Sequence, residues 1–137
     1  VELNAEIVSF HTFLKELLES GALKVKRSER IYTPQDNFNY SRELEDVTTL
    51  REILGAVGTV REMLLSGRDT MFAGSLLMNE YMPDVMRKVA MDRWENMRGM
   101  GLDCIVTESP DEQVLLRETA PAGCRVFSAE QAVLENR

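Results

Sequence analysis

Residues 101–112 run Gly101-Leu102-Asp103-Cys104-Ile105-Val106-Thr107-Glu108-Ser109-Pro110-Asp111-Glu112, and their reading decides the fold. The apolar run at 102–106 is short and is closed by turn-forming residues, so 102–107 reads as a central strand. Ser109 is a natural N-cap, Pro110 suits a first helical position, and Glu112 stands three residues after the cap, which predicts a capping box. A strand therefore feeds a helix, expected over 110–117. Asp111 and Glu112 place negative charge at the positive end of that helix, in space that could otherwise hold phosphate.

Similar units extend in both directions. Upstream, Pro83 opens the strongest helix, with Met86, Val89, Ala90, Trp94 and Met97 on one side and a stop at Gly99 and Gly101. Downstream, 125–127 reads as a strand and 129–136 as a final helix, with Ser128 and Gln131 repeating the capping pattern. Nearer the start, Ile7 and Val8 look like a short strand before a helix over 10–20, whose stripe is Phe10, Phe13, Leu14, Leu17 and Leu18. A strand at 30–33 is followed by the turn-rich Pro34-Gln35-Asp36-Asn37. Leu44, Val47, Leu50 and Leu54 then mark a helix stopped by Gly55 and Gly58, and 59–65 is strand-like. Ser66 to Asp69 and Ala73 to Ser75 read as loop around a short helix starting near Gly74. Strands alternating with helices predict one α/β domain over 1–137. Its expected architecture is a mainly parallel sheet with helices on both faces, a Rossmann-like three-layer arrangement.

Composition narrows the function classes. The net charge of −7 repels phosphate backbones, and the one basic cluster, Lys24, Lys26, Arg27 and Arg30, has no interleaved aromatics, so nucleic-acid binding is not expected. No apolar run reaches the roughly 18 residues of a membrane span, and residues 1–20 lack the pattern of a secretory signal, so a cytoplasmic location is expected. The start at Val1 suggests a processed product, an excised segment or the tail of a longer protein.

In an open α/β sheet, ligands gather beyond the carboxyl ends of the strands, so the loops after 33, 65 and 107 are where chemistry is sought. Thr70-Met71-Phe72-Ala73-Gly74-Ser75 has too few glycines and no following lysine to be a P-loop. Cys104 and Cys124 are too few and too far apart for a short-spaced metal motif, and Cys104 reads as a buried thiol. His11, the sole histidine, has no ligand or catalytic partner at a recognised spacing and is read as a surface or core-edge residue. All eight methionines fall between Met63 and Met100, where core filling is favoured over a partner surface.

The chain resembles the cysteine-rich CCG domain of heterodisulfide reductase subunits, glycolate oxidase iron-sulfur subunits and lactate-utilisation proteins. The likeness is carried by Val8 to Leu18 with Gly21 and Leu23 to Val25, by Ile31-Tyr32 and by Arg42-Glu43-Leu44. It continues through Met86, Ala90 and Arg93 to the tail Gly101 to Thr107 with Pro110. The resemblance implies an iron-sulfur cluster held by cysteines, and the chain departs from it at each such place. Met71, Phe72, Ala73, Gly74 and Ser75 stand where paired cysteines and glycines belong. Ser109, Pro110, Asp111 and Glu112 stand in the cysteine-proline-x-cysteine turn, and Asp36 or Asn37 stands near the remaining cysteine. Methionine, phenylalanine and serine do not replace several thiolates at once, so no cofactor and no metal are expected.

The expected function is a cluster-free CCG-like domain, not catalytic on its own, serving as a structural or docking part of a heterodisulfide-reductase-like iron-sulfur and flavin complex. The expected partners are other subunits or domains of that complex. It would be the C-terminal part of a longer subunit or a separate partner. The alternative is a small-ligand-binding or enzymatic subunit using the remodelled loops at Asp36, Asn37, Met71, Phe72, Gly74, Ser75, Ser109, Asp111 and Glu112.

Overall fold

A computed structural model describes residues 2–137. It is an α/β fold with one four-stranded, all-parallel sheet in the order β2-β1-β3-β4. The elements run α1 (Phe10–Glu19), β1 (Ile31–Gln35), α2 (Thr49–Val57), β2 (Thr59–Val60), α3 (Leu76–Tyr81) and α4 (Pro83–Glu95). They continue with β3 (Cys104–Thr107), α5 (Pro110–Thr119), β4 (Arg125–Phe127) and α6 (Ala129–Glu135).

The sheet is covered on both faces, the three-layer arrangement expected. Strand side chains alternate between the faces. Cys104 and Val106 of β3, with Tyr32 of β1, pack on Leu14 of α1, Leu50, Ile53 and Leu54 of α2, and Ala132 and Val133 of α6. Ile105, between them in sequence, packs the other way, on Met86, Ala90 and Trp94 of α4 and Leu115 and Leu116 of α5. Trp94 is buried there because its indole N–H donates to the Leu116 carbonyl at 3.1 Å. Asn136, just past α6, donates to the Tyr32 hydroxyl at 2.9 Å and so fixes the last helix to the first strand.

The chain goes from β1 over one face to β2, then returns over the other face to β3, on the far side of β1. Between β1 and β3 the following segments therefore leave toward opposite faces, which opens a crevice at the carboxyl ends of these two strands.

Several boundaries differ from expectation. Ile7 and Val8 form no strand; they are 82% and 41% exposed. Two apolar residues make a strand only if a sheet edge receives them, and α1 is an outer helix lying over α2. Its stripe is also rotated: Leu14 and His11 are buried, whereas Phe10 and Phe13 face outward. Pro34 and Gln35 belong to β1 rather than to a turn. The Arg61 N–H bonds the Tyr32 carbonyl on the β2 side, and Pro34 faces that same side beyond the end of β2 at Val60, so no partner needs its missing N–H. The second helix starts at Thr49, not near Leu44, because Asp46 accepts from the Thr48 and Thr49 amides at 3.1 and 3.0 Å. It also runs through Gly55. The strand expected over 59–65 is only Thr59–Val60, after which Met63 turns into the core and Leu64 and Leu65 stay exposed. Ser109 does cap α5, accepting from Glu112 N–H at 3.4 Å, but the Glu112 side chain turns inward and completes no capping box. The box at Ser128 and Gln131 is complete. Three methionines, Met63, Met86 and Met97, fill core, while Met78, Met82, Met91 and Met100 are exposed. No helix of the described residues is long and apolar enough to cross a membrane.

Two glycines in α2 and at its end should respond oppositely to alanine. At Gly58 a Cβ would stand 2.6 Å from the Arg30 carbonyl oxygen and 2.7 Å from the buried Tyr32 ring. Gly58→Ala is expected to destabilise by about 1–3 kcal/mol. At Gly55 nothing lies within 4 Å of that position. Gly55→Ala is expected to stabilise by roughly 0.5–1 kcal/mol, through helix propensity alone. Urea unfolding of the two variants checks both signs.

Candidate functional site

The loops singled out from the sequence converge at the crevice between β1 and β3. What joins them is a polar network built on Gln35, the last residue of β1. Its side-chain amide donates to Glu112 Oε2 at 2.7 Å and to the Met71 carbonyl at 2.9 Å. Its carbonyl oxygen accepts from Arg93 Nε. Arg93 also donates from Nη1 to the Leu64 carbonyl at 2.7 Å, while its Nη2 has no partner. Glu112 Oε2 takes a second hydrogen bond, from the Ala73 N–H at 2.9 Å. Gln35 and Arg93 are fully buried and Glu112 is 3% exposed, so an amide relays a buried ion pair.

Burial pushes the Glu112 carboxyl up to about 7, although the Ala73 N–H, Gln35 and Arg93 pull it down. Burial lowers the Arg93 guanidinium to about 10, with Glu112 and Asp36 opposing.

Asp36 organises the neighbouring loop. Its two oxygens meet Arg51 Nη1 and Nη2 at 2.7 and 2.9 Å, and Oδ2 also accepts from Gly67 N–H at 2.7 Å. These bonds to Asp36, with those to Glu62, raise the Arg51 pKa against the opposing effect of burial. Thr70 Oγ1 donates to the Asp36 carbonyl at 3.2 Å, and Arg42 donates to the carbonyls of Arg68 and Thr70 at 3.0 Å each. Asp111 accepts from Leu76 N–H at 3.0 Å, joining the starts of α5 and α3. Gly74, with φ of 128°, lies so close to α5 that a Cβ would meet Leu115 Cδ1 at 2.4 Å. Asn37 accepts from Asn39 N–H at 2.9 Å, and the Met71 sulfur accepts weakly from Asn96 at 3.6 Å. Ser75 and Ser109 are spent as caps of α3 and α5.

Two adjoining cavities remain, of about 360 and 420 Å³, and both are bordered by Phe38, Phe72 and Glu112. Asp36, Arg42 and Thr70 line the first; Asn37, Gly74, Ser75, Ser109 and Asp111 line the second. Phe38 and Phe72 meet edge to face, with centroids 6.4 Å apart. Of the nine residues expected from the sequence, all but Met71 border one of these cavities. Sequence reasoning missed Gln35, Phe38, Arg42, Thr70 and the role of Arg93. The signal for Arg93 was its position on the otherwise apolar stripe of Met86, Ala90, Trp94 and Met97.

A second polar cluster surrounds His11, which had been expected to lack partners. Its Nδ1 bonds Glu108, its Nε2 lies 3.2 Å from Asp46, and its ring meets Tyr40 in a tilted contact, with centroids 4.3 Å apart and planes 47° apart. Only 4% of it is exposed. Burial opposes its protonation, but hydrogen bonds and charge from Glu108 and Asp46 outweigh this and raise its pKa above 6.5. Burial likewise opposes ionisation of Asp46, yet the Thr49 and Thr48 hydrogen bonds and His11 bring its carboxyl down to about 2. The carboxylates occupy both ring nitrogens.

The residues at the crevice do not fit an iron-sulfur cluster. Oxygen, thioether and aromatic side chains stand at the loops, and neither thiol reaches them. Cys104 points into the core, where burial pushes its thiol up to about 12, and Cys124 precedes β4 at the opposite end of the sheet. Among the described residues, no group of three or more His, Cys, Asp or Glu side chains is placed to hold a metal ion. In comparisons with known proteins, no family model, curated protein or solved structure matches the chain.

Arg93→Ala should cost about 3–5 kcal/mol in urea unfolding, because Glu112 is left buried without its cation. Arg93→Met combined with Glu112→Gln should recover part of that loss, since neither charge then lacks its partner. For His11 the native pKa is raised, so its contribution is fully present below pH 6.5 and is lost as pH rises through the native value. The stability difference between the wild type and His11→Gln should therefore shrink between the acid and alkaline sides of that window, measured by thermal unfolding across pH.

Proposed function

We propose that the chain is a cluster-free CCG-like domain that acts as a structural or docking part of a heterodisulfide-reductase-like redox complex. The observation that carries this reading is the Arg93–Gln35–Glu112 network. It joins the loops that the resemblance would furnish with thiolates, and it does so with hydrogen bonds among the chain's own groups. A cluster holds separate loops together through its irons; here a buried amide, guanidinium and carboxylate have that mechanical role. The domain keeps the scaffold and carries no electrons itself.

Docking is supported by apolar surface next to the crevice. Leu77 and Tyr81, one turn apart in α3, are 69% and 80% exposed, and Met82 and Val85 follow at 41% and 50%. Large side chains grouped in this way suit a partner subunit better than they suit water. The oxidoreductase association belongs to the complex, and its cytoplasmic setting is part of the same proposal.

Anaerobic reconstitution with ferrous iron and sulfide, followed by metal analysis and visible absorption, is the test. The expected product is a folded, colourless protein with substoichiometric iron. A stoichiometric cluster with charge-transfer bands would overturn the reading. Binding to a purified iron-sulfur subunit of the heterodisulfide reductase type should in addition be lost in Leu77→Asp/Tyr81→Asp, measured by sedimentation velocity.

A further inference from the structure

We propose that the cleft bordered by Phe38 and Phe72 binds a planar aromatic nitrogen heterocycle, which donates an N–H hydrogen bond to Glu112 Oε1. This goes beyond the docking role and stands or falls independently of it.

Glu112 supplies the polar end. Both of its hydrogen bonds to protein fall on Oε2, from Gln35 and Ala73, so Oε1 has no protein partner on a side chain that is 97% buried and borders both cavities. Oε1 is also absent from the buried atoms that lack a partner, which places it on the cavity wall. An acceptor in such a position favours a ligand that brings a donor. Phe38 and Phe72 supply the flat, apolar end, and Phe38 keeps 42% of its surface exposed at the cavity mouth. The larger lobe of about 420 Å³ and its neighbour of about 360 Å³ both fall within the size range of small-molecule sites. The cleft also lies where open parallel sheets gather ligands.

Other ligand classes fit less well. A phosphate or carboxylate would meet the carboxylates of Asp36, Asp111 and Glu112 against Arg42, whose Nε and Nη2 are already bonded to carbonyls. A hard cation, which takes about six oxygens or more, would find only Glu112 Oε1 and Asp111 Oδ1 without protein partners among the lining carboxylates. A purely aliphatic molecule would seal Oε1 away from water with no donor. A flat ring carrying an N–H meets both walls.

The ionised carboxylate is the stronger acceptor, and because Oε2 already accepts two N–H bonds, protonation falls on Oε1 and turns it into a donor. The charged groups that face Glu112 are Arg93 from α4 and Asp111 from its own helix, with Asp36 and Arg42 across the cavity. Because burial holds the carboxyl near 7, binding should strengthen from pH 6 to pH 8.

Benzimidazole is a suitable probe, followed by amide-resolved NMR titration of the full chain, with 1-methylbenzimidazole as the analogue without an N–H. The expected result is saturable binding with Kd of about 1 mM or tighter at pH 8. The shifts should centre on the amides of Phe38, Phe72 and Ala73. Binding should weaken about tenfold in Phe38→Ala and severalfold on N-methylation. Phe38 is 42% exposed, so Phe38→Ala is expected to keep the fold, and its own amide spectrum tests this directly. Absence of saturable binding, shifts centred elsewhere, or affinity indifferent to both Phe38→Ala and methylation would each overturn the proposal.

Discussion

The buried guanidinium of Arg93 is the constraint around which the rest of the structure is arranged. A cation with no exposed surface depends on the groups around it, and here Nε and Nη1 are met from β1 and from the loop before α3, Nη2 is left without a partner, and the α5 carboxylate stands one step beyond. Moving any of these elements would leave a charge or an amide unpartnered in a low dielectric, at a cost of several kcal/mol. Apolar packing fixes which face each helix covers. The polar network fixes where the helices and loops end relative to the sheet, and so determines the crevice.

The network also accounts for the inward turn of Glu112. In the local sequence Glu112 belongs to a capping box, and the Ser109 half of the box forms. The other half yields to the Ala73 amide, which would otherwise be buried without an acceptor, and to the Gln35 amide, which has the Met71 carbonyl for only one of its two protons. Tertiary demand outweighs a local hydrogen bond of ordinary strength. At Ser128 the tertiary partner lies where the box can still close: Gln131 Oε1 accepts from Arg117 at 2.8 Å and from the Ser128 N–H at 3.0 Å together.

This contrast explains what could be read in the sequence and what could not. The strands β3 and β4 and the helices α4 to α6 were legible because caps, prolines and apolar runs lie within a few residues of one another. The start of α2 was missed because the carboxylate that meets its first amides is Asp46, two residues before the N-cap Thr48 and away from the apolar stripe. The extent of β2 and the absence of a strand at Ile7 depend on whether a neighbour accepts pairing, which no window of sequence contains. The gathering of eight of the nine loop residues around the cavities followed from the rule for strand ends. Their chemistry did not, because Gln35 is separated from Arg93 by 58 positions and from Glu112 by 77. His11 and Glu108, 97 positions apart, were invisible as partners for the same reason.

The brevity of β2 has a consequence for how the molecule can associate. A sheet normally offers its outermost strand as a template on which another extended chain can be laid. Here one border is two residues long and the other three, and Pro34 removes a donor where β1 emerges past its neighbour. Backbone-to-backbone extension of the sheet, whether by a ligand peptide or by a second copy, has almost nothing to grip. Recognition is left to side chains on the helices and loops, and the ordered stacking that leads to fibrils is denied its starting edge.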